Sequence, residues 1–110
     1  MNLVVVVNKA QMGSGDVELG RKILATCLRK LSSVDELDAV VFYNAGVTMV
    51  TKDSPVALEI GLLRDKGVEL LLCGTCVEHF GIGDNLLVDH VSNMDEILTV
   101  LRNAGKVITL

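Results

Sequence analysis

Two cysteines separated by two residues, Cys73 and Cys76, are the side chains of this chain best suited to covalent chemistry. They come directly after a short apolar segment that is predicted to form a buried strand. A following segment that exposes helix N–H groups would lower a thiol pKa and make one cysteine a nucleophile or an acceptor of sulfur. The alternative is that each free cysteine packs as a small hydrophobic side chain.

Dithiol redox chemistry and a zinc site are two further interpretations of the pair. A thioredoxin-type motif normally faces a cis-proline, whereas the only proline, Pro55, is placed at a predicted helix start. A zinc site built from the two cysteines and His79 needs a fourth ligand, for which Asp84 and His90 are weak candidates. We therefore rank both below persulfide chemistry and predict no metal and no cofactor.

Two ionisable residues follow the cysteines closely, Glu78 and His79. Either can assist proton transfer or help to hold a thiolate, provided that it lies within hydrogen-bond reach. The alternative is that both are solvated on the protein surface. We carry them forward as assisting residues of the cysteine site.

A glycine-rich turn, Gly13-Ser14-Gly15, precedes a predicted helix and resembles a turn that binds phosphate through exposed N–H groups. The dinucleotide-binding pattern fails because Glu18 stands where its third glycine should be. A tight turn with Asp16 near the positive end of the helix is the simpler interpretation. An anionic sulfur or selenium species can still bind there.

Alternating strands and helices are predicted to position these residues. Apolar runs predict strands, and apolar residues at helical spacing predict helices. Glycines at 74, 81 and 83 make the stretch from 74 to 89 irregular, with a helical turn near 76–80 and a short strand at 86–88. The remaining predicted strands are 2–8, 38–44, 68–73 and 106–110, with an extended piece at 47–51; the helices are 16–31, 55–66 and 93–103.

This order predicts an α/β fold with a mainly parallel sheet and helices on both faces, because parallel neighbours require crossover connections. We expect one domain over residues 1–110. Ligands of such sheets bind outside the carboxyl ends of the strands. The residues at that edge are expected to form the walls of one pocket around the cysteines: Asn8, the turn Gly13–Gly15, Asn44, Gly74 and Thr75.

Composition excludes several classes of function. A net charge of −4 with scattered basic residues disfavours nucleic-acid binding. No apolar run reaches bilayer-spanning length, and three cysteines without a secretory signal indicate reduced thiols in the cytoplasm. The mean hydropathy of +0.49 leaves apolar residues to spare, so part of the surface is expected to form a subunit interface.

Five short segments in the same order resemble the DsrE/DsrF-like sulfur-relay family, and within it the DsrE-like half of YedF-type selenium-metabolism proteins. The resemblance covers nearly the whole chain. The matching segments are Met12–Asp16 with Leu19-Gly20, Phe42–Val47, Ser54–Val56, Cys73–Cys76 and Ser92–Met94.

The resemblance implies a flavodoxin-like three-layer fold, assembly into homo-trimers or hexamers, and a cysteine that accepts and passes on a persulfide. In that family the reactive cysteine has a glycine eight residues later, and Cys73 and Gly81 have this spacing. The role therefore transfers to Cys73. Cys76 belongs to the Cys-Gly-Thr-Cys form of the YedF-type branch, where it can resolve the persulfide as a disulfide forms.

One departure from the YedF type concerns the partner. Those proteins usually carry a sulfur-carrier domain with a Cys-Pro motif, and this sequence has no Cys-Pro dipeptide. The resemblance thus implies a separate carrier protein or carrier domain as the partner. The leading hypothesis is a sulfurtransferase-like protein that relays sulfane sulfur or selenium on Cys73; the alternative is a non-enzymatic oligomeric module that binds a small anion or a partner chain.

Overall fold

Four strands and four α-helices make up the computed structural model, which describes residues 1–110, and they alternate except that two helices precede the last strand. Two 3-10 helices add to this order. Asn44–Val50 follows the second strand, and Gly83–Asn85 lies between the third and fourth α-helices. The strands are β1 Leu3–Val7, β2 Leu37–Phe42, β3 Glu69–Leu72 and β4 Lys106–Thr109, and the helices are α1 Val17–Leu31, α2 Ala57–Asp65, α3 Gly74–Phe80 and α4 Met94–Asn103.

The four strands form one parallel sheet in the order β3-β2-β1-β4. The two central strands are almost continuously buried, which explains why β1 consists of Leu and Val alone. The register pairs Val5 with Val40 and with Ile108, and Val40 in turn with Leu70. The carboxyl ends of all four strands therefore meet at one edge, as the sequence predicts.

Helices cover both faces of this sheet, so the predicted three-layer α/β fold is confirmed. Side chains of successive strand residues point to opposite faces. On one face Val5, Val7, Val40 and Phe42 pack with α1 and α2. On the other face a smaller cluster contacts α4 through Ile97. The members of this second cluster are Val4, Val6, Ala39, Val41, Leu71, Cys73 and Ile97.

The extended piece expected at 47–51 is wrong, because residues 44–50 form a 3-10 helix. The apolar residues Val47, Met49 and Val50 are buried by this helix rather than by a strand. Gly46 explains the difference, because a Cβ atom at this position would lie 2.0 Å from the carbonyl oxygen of Val7. The helix thus packs with its backbone directly against the end of β1.

Three other predicted boundaries also change. The helix expected at 55–66 begins only at Ala57, because Ser54 Oγ accepts a hydrogen bond from the Val56 N–H (3.0 Å) and forms a turn before it. The expected strand at 86–88 is reduced to a single antiparallel bridge between Thr51 and Leu86. The turn expected at 76–80 is instead a helix that starts at Gly74.

The free edges of the sheet differ. Beside β3, Ser92 forms one parallel bridge with Cys73 and extends the sheet at its carboxyl end. Beside β4 no further strand pairs, and all four β4 residues are exposed. None of the helices has the length and apolar composition that a bilayer-spanning helix requires.

Candidate functional site

Cys73 stands at the junction of β3 and α3. Its N–H donates to the carbonyl of Phe42 (3.0 Å), which continues the pairing of the sheet, and its carbonyl accepts from the N–H of Val77 (3.1 Å), which opens the helix. Its extended backbone makes it the N-cap residue of α3. The side chain is only 5% exposed and packs in the smaller cluster with Leu71 and Ile97. Cys73 thus lies between the last residue of β3 and the first residue of α3.

Cys76 lies in the first turn of α3 and is half-buried. Its Sγ accepts a hydrogen bond of 3.1 Å from the backbone N–H of Asn44. Asn44 has a φ of 51°, in the left-handed region that Asn tolerates better than most residues. In this conformation the backbone N–H of Asn44, two residues after β2, contacts the sulfur of Cys76 in α3, the helix that follows β3.

The two thiols differ in acidity. Burial raises the pKa of Cys73, but the N–H groups and side chains of Cys76 and Thr75 outweigh it and hold that pKa below its ordinary value. The pKa of Cys76 is raised, by burial and by the neighbouring Cys73, although the Asn44 N–H acts in the opposite direction. Cys73 is therefore the more acidic thiol of the pair.

An open cavity of about 270 Å³ adjoins the second cysteine. His79 and Phe80 from the end of α3 form one wall, with their rings in an edge-to-face contact at 5.1 Å between centroids. Cys73 does not line this cavity. The lining residues are Asn44, Thr75, Cys76, His79 and Phe80.

The remaining residues predicted for this edge lie outside that cavity. Asn8 follows β1, where its Nδ2 donates to the Tyr43 hydroxyl (3.5 Å) and its buried Oδ1 has no partner. Gly74 is engaged with Ser92, whose carbonyl accepts its N–H at 3.0 Å. Glu78 is exposed on α3, and the turn Gly13–Gly15 is exposed before α1. Their assignment to the site stays a prediction.

No group of three His, Cys, Asp or Glu side chains is arranged to hold a metal ion. His90, a weak candidate for a zinc ligand, instead lines a larger cavity of about 410 Å³ with Asp89 and Glu69. That cavity lies beside the amino-terminal half of β3, whereas the cysteines lie at its carboxyl end. The larger cavity and the thiol chemistry are therefore separate features.

The family of the chain follows from its sequence as a whole. The model of the DsrE/DsrF-like family matches residues 1–110. The chain belongs to the DsrE/DsrF-like family. Membership supports a function of the sulfur-relay type. No curated protein matches the chain by sequence.

Solved structures share the fold of this DsrE-like chain. The YchN protein of E. coli superimposes with a TM-score of 0.74 at 23% identity, covering 99% of this chain and 98% of its own. MTH1491 of Methanobacterium thermoautotrophicum, a protein of unknown function, gives 0.71 at 24% identity with coverages of 99% and 98%. BT1422 of Bacteroides thetaiotaomicron, also of unknown function, gives 0.68 at 21% with 99% and 95%. At these identities the likeness shows the fold alone.

Two features of this DsrE-like site were missed from the sequence. The hydrogen bond from Asn44 to Cys76 comes from a backbone N–H, which every residue except proline carries, so no residue type signals it. Phe80 lines the cavity but was not named as a site residue, although it lies within the helical turn predicted at 76–80. Its signal was present, since Phe80 comes one helical turn after Cys76 and is therefore on the same side of α3.

Proposed function

We propose that this protein accepts a sulfane sulfur, or its selenium counterpart, on Cys73 and relays it as a cysteine persulfide. Family membership supports the sulfur-relay theme. The observation that carries the proposal is the position of Cys73 at the start of α3, where the N–H groups of Thr75 and Cys76 lower its pKa. A lowered pKa makes a cysteine more reactive, because a larger fraction of it is the nucleophilic thiolate at a given pH.

The loading step is a thiol exchange on a donor persulfide. The Cys73 thiolate attacks the terminal sulfur of R–S–SH, the sulfur–sulfur bond of the donor breaks, and R–S⁻ leaves with the bonding electron pair. The product is Cys73–S–SH, and no net oxidation or reduction occurs. The same amide groups that favour the thiolate favour the ionised persulfide, because both place negative charge at the start of α3.

Other residues of the site take supporting roles. His79 lines the cavity and can carry protons between solvent and the reacting thiols, and Glu78 on the same helix is a second assisting group. Asn8 and the turn Gly13–Gly15 are proposed to bind the anionic part of a donor. We further propose homo-trimers or hexamers, and as the partner a separate carrier protein or domain with the Cys-Pro motif that YedF-type proteins usually carry in their own chain.

Mass spectrometry of the intact protein tests this function. After a short incubation with cysteine persulfide and rapid alkylation, wild type is expected to carry one added sulfur atom, which Cys73→Ser should gain about tenfold or more slowly. Cys27→Ser is the matched control and should load like wild type, because Cys27 lies on α1 away from the site. A folded wild-type protein that gains no sulfur would contradict the proposal.

A binding module without catalysis is the second candidate. Exposed apolar side chains on α4 and before it favour it, since such groups commonly form contacts with other chains. It predicts that a double variant, Cys73→Ser with Cys76→Ser, keeps its partner or anion binding. The relay function predicts that the same variant loses sulfur transfer to an acceptor thiol. A pulldown and a transfer assay on one preparation separate the two.

A further inference from the structure

We propose that Cys76 is the second position of the relay, which takes the sulfane sulfur from Cys73 and presents it to the acceptor in the cavity beside α3. This inference rests on the proposed function. In this role Cys76 passes the sulfur on as a persulfide. The resemblance had instead implied that Cys76 resolves the persulfide by forming a disulfide with Cys73.

Access separates the two cysteines. Cys73 is 5% exposed and does not line the cavity, so a thiol carried by an acceptor protein has little access to its sulfur. Cys76, by contrast, lines a cavity that is open to solvent. Its volume of about 270 Å³ is several times the roughly 30 Å³ that one water occupies in the liquid, so an added sulfur and an incoming thiol fit together.

The two thiols are neighbours at the start of α3. Cys73 is the N-cap residue of this helix, and Cys76 in its first turn packs against the apolar cluster that contains Cys73. On its other side, Cys76 Sγ accepts the N–H of Asn44 at 3.1 Å. The sulfur of Cys76 therefore lies between its intramolecular partner and the residues that line the cavity.

The transfer step balances without an external reagent. Cys76 Sγ attacks the terminal sulfur of Cys73–S–SH, the sulfur–sulfur bond on Cys73 breaks, and the electron pair stays on Cys73. The proton of the Cys76 thiol is released in the attack, and the Cys73 sulfur takes up a proton in its place. The products are a Cys73 thiol and Cys76–S–SH, so the sulfane sulfur moves without a change of oxidation state.

The chemistry of thiol exchange favours this direction. Exchange is faster when the leaving thiol has the lower pKa, because that sulfur carries the displaced electron pair more readily. Cys73 has its pKa lowered and Cys76 has its pKa raised, so Cys73 is the better leaving group. The Asn44 N–H compensates in part, because it favours the ionised form of Cys76 during the attack.

Loading and transfer are followed on wild type, Cys73→Ser and Cys76→Ser, with Cys27→Ser as the matched control. Cysteine persulfide is the donor, a cysteine-containing peptide is the acceptor, and alkylation traps each state before digestion. We expect wild type to carry the sulfur on Cys76. Cys76→Ser should load on Cys73 but pass sulfur to the peptide about tenfold or more slowly. Cys73→Ser should load about tenfold or more slowly than wild type, because it lacks the thiolate.

Three results would overturn the proposal. The first is Cys73→Ser loading at the wild-type rate, which would make Cys76 the direct acceptor. The second is Cys76→Ser transferring at the wild-type rate, and the third is release of sulfide in step with a Cys73–Cys76 disulfide. Alanine at each position repeats the test if a serine variant fails to fold. Failure of every folded variant, wild type included, to gain sulfur would instead overturn the proposed function and this inference with it.

Discussion

Cys73 and Cys76 divide between them the two properties that decide thiol reactivity, namely ionisation and access. Cys73 has the lowered pKa and is buried, whereas Cys76 has the raised pKa and lines the cavity. In a thioredoxin-type pair the first cysteine of the motif is normally both acidic and exposed. The separation seen here is better suited to passing a sulfur atom between two thiols than to exchange with a protein disulfide.

Alkylation as a function of pH should resolve the two thiols. The rate for Cys73 is expected to reach half its maximum below pH 9.0, and the rate for Cys76 above it, because their pKa values shift in opposite directions from that value. Iodoacetamide labelling with mass-spectrometric site assignment measures both in wild type. The midpoint and not the maximal rate is compared, since burial slows Cys73 at every pH. A common midpoint would contradict the assignment.

The partly buried thiol of Cys27 is expected to make the free energy of unfolding fall in alkaline solution. Burial raises the pKa of this α1 thiol above 9.0, so the fold favours its neutral form. The stability that this provides is complete below pH 9.0 and is lost as the pH rises through the folded-state pKa. The free energy of unfolding, measured with urea at about pH 8 and about pH 10.5, should therefore fall less in Cys27→Ala than in wild type. Equal falls would contradict this.

The 3-10 helix Asn44–Val50 is the element on which the geometry of the site depends, because it carries the N–H that contacts Cys76. Gly46 fixes its distance from β1. Gly46→Ala would place a Cβ 2.0 Å from the Val7 oxygen, which no side-chain rotation can relieve. We expect it to lower the free energy of unfolding by about 3 kcal/mol or more.

A second glycine provides the matched control for that substitution. Gly61 lies inside α2, where the nearest atom to an added Cβ is an Arg64 nitrogen at 3.9 Å. Gly61→Ala is expected to stabilise the protein by about 0.5–1 kcal/mol, because alanine restricts the unfolded chain and favours helix. Urea unfolding of both variants checks the pair. Loss of stability in Gly61→Ala, or none in Gly46→Ala, would show that the packing is described wrongly.

Most elements could be predicted because buried positions are occupied by apolar residues at the spacing of a strand or a helix. β1 and β2 are runs of apolar residues because both of their faces are covered, and α1 and α4 keep one apolar face each. The exceptions have local causes. The apolar residues of the segment 44–50 resemble a strand, but the close approach at Gly46 is a tertiary contact that periodicity does not contain. The full length of α3 was not predicted, because the glycines at 74, 81 and 83 interrupt the helical pattern. The helix nevertheless begins at Gly74, directly after its N-cap residue Cys73.

The candidate site was predictable in its residue types and less so in its geometry. Asn44, Thr75, Cys76 and His79 could be placed at one edge, because parallel strands bring their carboxyl ends together, and the structure gathers these four around one cavity. The left-handed backbone of Asn44 could not be predicted from its neighbours. The resemblance already put Cys73 before Cys76, but their difference in access required the structure, since Cys73 is buried in a cluster that includes Ile97 of α4.

The two faces of the whole molecule are unequally covered. One face of the sheet packs with α1 and α2, whereas the other packs with α4. Met94 and Leu98, one turn apart on α4, remain 52% and 53% exposed. The adjacent edge strand β4 has its outer side unpaired and also exposes Val107. We propose that self-association covers this side of the molecule.

Leu98→Lys should weaken that self-association, because it introduces a charge into the apolar contact. Light scattering after gel filtration is expected to show a lower mass than for wild type at the same concentration. Leu58→Lys is the control, since Leu58 is also exposed but lies on α2, which packs against the opposite face of the sheet, so this variant should keep the wild-type mass. A reduced mass for Leu58→Lys alone would place the interface on the opposite face.

The hydrogen bond from Asn44 to Cys76 also provides an intrinsic spectroscopic reporter. An amide proton that is bonded to sulfur is sensitive to the charge and the substituents of that sulfur. In an amide correlation spectrum, the resonance of Asn44 should therefore move when Cys76 is ionised, persulfidated or oxidised, while amides of β1 remain in place. The chemical state of the thiol can thus be followed in real time by nuclear magnetic resonance, without a label on the cysteine itself.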